Sequence, residues 1–80
     1  MNLTAWRKSQ GKSLAETAAA IGIVGANPAR SLQRYESGER VMPAVQQAAV
    51  ETFTNGAVTF NDMFAARLAW ETTNLAEAQS

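Results

Sequence analysis

The chain has 80 residues, 46 per cent of them hydrophobic and 18 per cent charged, with a formal net charge of zero. That balance fits a folded chain rather than a disordered one, and a chain so short buries only about 60 per cent of its unfolded surface, enough for one domain of modest stability that a dimer would support. There is no cysteine and no histidine, which excludes a disulfide framework, a thiolate metal site and the commonest metal ligand and general base. The carboxylates are scattered without a convergent acid pair or a nucleophile with its base, so no enzyme activity, cofactor or metal is expected, and no small-molecule ligand is evident. No apolar run approaches the roughly 20 residues that span a bilayer, and the start MNLTAWRKSQ lacks an apolar signal core, so a cytoplasmic location is expected.

The neutral total hides an asymmetry. Residues 1–40 carry Arg7, Lys8, Lys12, Arg30, Arg34 and Arg40 against Glu16, Glu36 and Glu39, a net of +3, and residues 41–80 carry Arg67 against Glu51, Asp62, Glu71 and Glu77, a net of −3. A basic half of this kind can hold a polyanion-binding face, although scattered surface charge gives the same count.

Taken in chain order, Asn2 caps a first helix over residues 3 to about 10, with Leu3, Trp6 and Arg7 on its inner side and Gly11 as its stop. Ser13 stands three residues before Glu16, a capping box that opens a second helix to about residue 21. Its apolar positions Leu14, Ala18 and Ile21 share one face, the small Ala18 allows a close helix crossing, and Gly22 ends it. After Ile23, Val24, Gly25 and Ala26, the pair Asn27-Pro28 starts a third helix over residues 28–37, which Gly38 ends. Leu32 and Tyr35 form its inner edge, which leaves Ala29, Arg30, Gln33, Arg34 and Ser37 outside.

Pro43 opens a fourth helix to about residue 53, for which the pattern predicts Val45, Ala48, Ala49 and Phe53 inside, and Asn55-Gly56 closes it. Thr59 and Asp62 form a second capping box for a fifth helix over residues 60 to about 73, and the polar, alanine-rich residues 74–80 are expected to fray. Phe60, Met63, Phe64, Arg67, Leu68 and Trp70 crowd that helix on more than one side. One monomer cannot bury them all, so a two-fold contact through Phe64, Leu68 and Trp70 is expected, the alternative being that Trp70 folds back over the first and fourth helices.

Read together, Leu3-x-x-x-Arg7, the run Ser13-Leu-Ala-Glu-Thr-Ala-Ala-Ala-Ile-Gly22-Ile and the run Ser31-Leu-Gln-Arg-Tyr-Glu-Ser-Gly38-Glu-Arg40 resemble the Cro/cI, or XRE-type, lambda-repressor-like helix-turn-helix family. The closing Gly56-Ala-Val-Thr-x-x-Asp62-Met is similar to the ends of short phage and prophage regulators of that kind. The resemblance implies an all-α, five-helix fold in a single domain over residues 1–80, with the helix-turn-helix at about 13–38 and a C-terminal helix at about 60–73 that dimerises. It implies a homodimeric transcriptional repressor that binds an inverted-repeat operator in double-stranded DNA, with no membrane role.

In that family the third helix enters the major groove. Carried onto this chain, the resemblance implies base contacts from Ala29, Arg30, Gln33 and Arg34, where Arg suits guanine, Gln suits adenine and Ala suits a thymine methyl. Phosphate contacts are implied for Lys12, Ser13, Ser31 and Arg40. The family pattern also sets Arg7 beside Glu36 as an ion pair that fixes the third helix against the first. The chain departs from the family in its extended turn, since Gly22 and Tyr35 are thirteen positions apart, and the extra residues are assigned to 24–26. Thr17 stands where Leu is usual, and Leu14 where a phosphate-binding Gln is frequent. A different use of the same fold, as an antitoxin-like or adaptor module that binds a protein through the fifth helix and the acidic half, is the alternative.

Overall fold

Five helices follow one another along the chain: α1 (Leu3–Ser9), α2 (Leu14–Ala20), α3 (Pro28–Ser37), α4 (Ala44–Phe53) and α5 (Phe60–Gln79). The computed structural model describes the backbone of residues 1–79 and the side-chain surroundings of residues 1–74, and among the described residues there is no strand. No helix among them is long and apolar enough to cross a membrane.

Most of these helices begin where the sequence supplies an acceptor for a backbone donor that the first turn leaves unpaired. Asn2 Oδ1 accepts from the Ala5 N–H at 2.7 Å, and Asn27 Oδ1 accepts from the Arg30 N–H at 3.3 Å ahead of Pro28. The Ser13–Glu16 box is reciprocal, the Ser13 hydroxyl accepting at 3.0 Å and the Glu16 carboxylate at 3.4 Å. Thr59 and Asp62 repeat the arrangement at the start of α5. α4 has no such cap: Pro43 precedes it, and the Gln47 amide instead donates to the Met42 carbonyl at 2.6 Å.

The core is drawn from every helix and from the loops between them. Leu3, Ala18, Ile21, Ile23, Leu32, Met42, Val50 and Val58 are buried, with Trp6, Leu14, Tyr35, Ala49, Phe53 and Met63 packed against them. Leu32, Val50 and Val58 are fully enclosed, and each such side chain contributes about 2 kcal/mol of hydrophobic stabilisation. Ala18 is also fully buried, and α2 packs against α3. Trp6 meets Phe53 edge to face at 5.4 Å, which ties α1 to the end of α4.

The inner face of α4 differs from the one that the pattern predicts. Val50 is the enclosed residue, Ala49 and Phe53 are half-buried, and Val45 and Ala48 face outward, Val45 being 83 per cent exposed. The helix is rotated so that positions 46, 49, 50 and 53 turn inward, and the Gln47 contact to Met42 helps hold that rotation. Polar Gln46 on the inner stripe conceals it from a hydrophobic count.

α5 is longer than expected. It continues past residue 73 to Gln79, because no Gly or Pro interrupts the strong helix formers there and the Asn74 amide donates back to the Trp70 carbonyl at 2.8 Å, within the helix. The expected end of the helix at about residue 73 is therefore corrected to Gln79, and Ser80 lies outside the described residues. Its apolar residues divide between two sides. Met63, Ala66, Arg67 and Trp70 are half-buried, whereas Phe60, Phe64 and Leu68, at spacings of four, form a stripe that is 44, 66 and 51 per cent exposed.

Candidate nucleic-acid interface

α3 carries the side chains for which base contact is expected, and its inner side is fixed from three directions. Leu32 anchors it in the core. From α1, Arg7 Nε lies 2.9 Å from Glu36 Oε2 and Nη2 lies 3.3 Å from Glu36 Oε1, with the Thr4 hydroxyl donating to the same carboxylate at 2.9 Å. The two charged side chains are only 12 and 5 per cent exposed. The remaining Arg7 nitrogen, Nη1, donates to the Lys12 carbonyl at 3.0 Å, so one guanidinium holds α1, the α1–α2 turn and α3 together.

The third fixing point is α5. Gly38 ends α3 with φ of +86°, and a side chain there would overlap the Ala66 carbonyl of α5 as well as enter a strained conformation. Arg67 Nη1 donates to the Gly38 carbonyl at 2.9 Å and the Glu39 carbonyl at 2.8 Å, its Nε donates to Glu71 at 3.0 Å, and its guanidinium lies 4.7 Å from the Trp70 ring. Trp70 therefore sits at the α3–α5 junction. It is half-buried there, whereas Phe64 and Leu68 lie on the exposed stripe.

On the outward side, Ala29, Arg30, Gln33 and Arg34 line one groove together with Leu14, Ser37 and Glu39. Arg30 and Gln33 are exposed, and Ala29 and Arg34 are half-buried on its floor. The formal charge of this groove is two arginines against Glu39, whose carboxylate lies 4.0 Å from Arg34 Nε. Leu14 and Glu39 were not among the expected groove residues. Leu14 is reached because α2 starts beside α3, and Glu39 because the left-handed turn at Gly38 folds the chain back past the helix end, two tertiary facts with no local pattern.

The residues expected at phosphates do not line that groove. Ser13 caps α2 with its oxygen, and Ser31 is half-buried. Lys12 is drawn toward α4, with Nζ 5.6 Å from the centre of the Phe53 ring. Arg40 is exposed, its N–H donating to the Arg34 carbonyl at 3.3 Å, and it borders a separate cleft of about 540 Å³ between the start of α1, the α3–α4 loop and α5. Val41, Met42, Phe60, Met63 and Phe64 give this cleft its apolar walls.

The long α2–α3 connection is divided in its packing. Ile23 is buried, and its N–H donates to the Ala18 carbonyl at 2.9 Å beyond the left-handed Gly22. Val24, Gly25 and Ala26 are exposed, Val24 by 86 per cent. No group of three or more acidic, His or Cys residues able to hold a metal occurs among the described residues. Comparison of the chain with protein-family models, with curated proteins and with solved structures finds no match.

Proposed function

We propose that this chain is a sequence-specific DNA-binding transcriptional regulator with a lambda-repressor-like arrangement, in which α2 and α3 form a helix-turn-helix with an extended turn and α3 enters the major groove. The observation that carries this reading is the gathering of Ala29, Arg30, Gln33 and Arg34 on the outer side of a helix whose inner side is pinned by Leu32, the Arg7–Glu36 pair and Arg67. Base reading needs side chains of this chemistry on a rigid support, and each good bidentate contact discriminates by about 1 to 3 kcal/mol. In this proposal Lys12, Ser13, Ser31 and Arg40, which stand outside the groove, take phosphates.

The regulator acts as a homodimer on an inverted repeat in the cytoplasm, with half-sites about one helical turn apart, and represses by covering a promoter. The exposed stripe of Phe60, Phe64 and Leu68 supports the dimer, since large apolar side chains aligned on one helix are costly to leave in water. The same stripe supports the second reading, an adaptor or antitoxin-like module that binds another protein there. Binding of a randomised duplex pool tests the choice, with the bound fraction sequenced and affinity followed against salt. A recurrent inverted repeat is expected, with a log–log salt slope of about −5 for roughly six phosphate contacts. A pool that stays random and a flat salt response favour the adaptor.

A further inference from the structure

We propose that Glu39 is a specificity-determining residue of the α3 groove, acting by holding Arg34 for base reading and by opposing indiscriminate phosphate binding. The inference rests on the DNA-binding reading above. Its starting point is a carboxylate in a place that a general polyanion site would leave free of negative charge. Glu39 lines the same groove as Arg30, Gln33 and Arg34, and its Oε2 lies 4.0 Å from Arg34 Nε.

The atom that Glu39 approaches decides what it can do. An arginine has five donors, and a bidentate contact to guanine O6 and N7 can be made end-on by Nη1 and Nη2. A carboxylate 4.0 Å from Nε faces the remaining edge and leaves that end free. Among the described residues, neither Nη1 nor Nη2 of Arg34 makes a hydrogen bond, whereas every nitrogen of the structural Arg7 is used. Arg34 therefore has an acidic neighbour on its Nε side only, at ion-pair range, with the base-reading end left over.

Glu39 is also held firmly enough to act as a support. Its carbonyl and that of Gly38 both accept from Arg67, its N–H donates to the Ser37 hydroxyl at 3.4 Å, and Gly38 is seated against α5 where a side chain would not fit. The carboxylate therefore stands on a fixed backbone at the rim of the groove. A phosphate placed beside Arg34 meets this charge and is repelled, while a guanine edge meets only the two free amino groups.

The test uses the site that the wild-type chain selects from a randomised duplex pool, variants of that site altered at one base pair at a time, and a random-sequence duplex. Glu39→Ala is expected to raise affinity for the random duplex several-fold and to reduce discrimination about tenfold at the same base pair that Arg34→Ala affects. Adding it to Arg34→Ala is expected to cost no further discrimination. Glu39→Gln, which keeps an acceptor but not the charge, is expected to recover part of the discrimination and retain the raised random-duplex affinity. Thermal midpoints should match the wild type, since the side chain is exposed. Full discrimination in Glu39→Ala, or an equal loss in the Arg34→Ala background, overturns the proposal, as does a loss at a different base pair, which would make Glu39 a direct reader of cytosine. A wild-type chain that selects no sequence overturns the DNA reading itself.

Discussion

Arg7 and Glu36 illustrate how a single pair sets the geometry of a surface that neither residue reaches. Both are nearly buried, and the carboxylate accepts from Arg7 and Thr4 together, so removal of one partner leaves an uncompensated charge in the interior. Glu36→Ala is expected to lower unfolding stability by about 3 kcal/mol in chemical denaturation, and to weaken any DNA binding with it. An unchanged midpoint would make the pair peripheral. Thr17 presents the converse case, a fully buried hydroxyl with no hydrogen-bond partner. Thr17→Val removes that unsatisfied group at nearly constant shape, and a gain of about 1 kcal/mol in the same measurement is expected. Asp62 supplies a pH dependence. The Thr59 N–H, followed by the chain's N-terminal ammonium at 3.2 Å and the Thr59 hydroxyl, holds its carboxyl below the ordinary aspartate value despite the opposing effect of burial. A lowered folded-state value adds stability that is present above the unfolded value and is lost as pH falls through the folded one. The thermal midpoint of Asp62→Asn is therefore expected below that of the wild type at neutral pH, with the gap closing only under acid conditions below the ordinary aspartate range. A gap that begins to close above that range, or that persists unchanged well below it, would mean that the charge is not what Thr59 and the terminus recognise.

At the scale of elements, the boundaries were legible wherever a local chemical decision made them. Asn2, Ser13, Asn27-Pro28 and the Thr59–Asp62 box each satisfy or remove a first-turn donor within three residues, and Gly22 and Gly38 supply left-handed stops. Such signals depend on neighbours in the chain and need no tertiary knowledge. The rotation of α4 was not legible, because the Gln47–Met42 hydrogen bond and the space around Val50 set it, and an alternating Ala, Val and Gln sequence is ambiguous about its own inner face. The two valines make this measurable. Val50→Ala is expected to cost about 2 kcal/mol from lost burial and a residual cavity, while Val45→Ala stays within about 0.5 kcal/mol of the wild type. Equal effects would restore the predicted face. The α2–α3 connection was legible as too long, and its added residues were legible at 24–26, but the return of Ile23 to the core was not. Ile23 returns to the core and keeps α2 and α3 joined, so the added length is carried outward by residues 24–26.

The whole molecule is organised around one supported helix. α1 reaches α3 through Arg7, α2 packs against it, and α5 closes its end through Gly38 and Arg67. The outer side of α3 faces solvent with Arg30 and Gln33 exposed and Arg34 partly so. The sequence legibly placed the four proposed base-reading residues on one face, since helical period alone does this. The surroundings of the phosphate candidates were not legible, because Lys12 lies near the Phe53 ring and Arg40 lines the cleft beside α5 through contacts across the fold. The division of α5 into a buried side with Trp70 and an open stripe with Phe60, Phe64 and Leu68 likewise depends on where α3 ends. The central claim is that α3 reads DNA sequence, and the measurement that tests it most directly is the ratio of affinities for the selected duplex and a scrambled duplex, for the wild type and for Arg30→Ala with Arg34→Ala. The double variant is expected to keep its thermal midpoint and to lose most of that ratio, at least about tenfold, as removal of two base contacts requires. A ratio that survives in the folded double variant would contradict that claim.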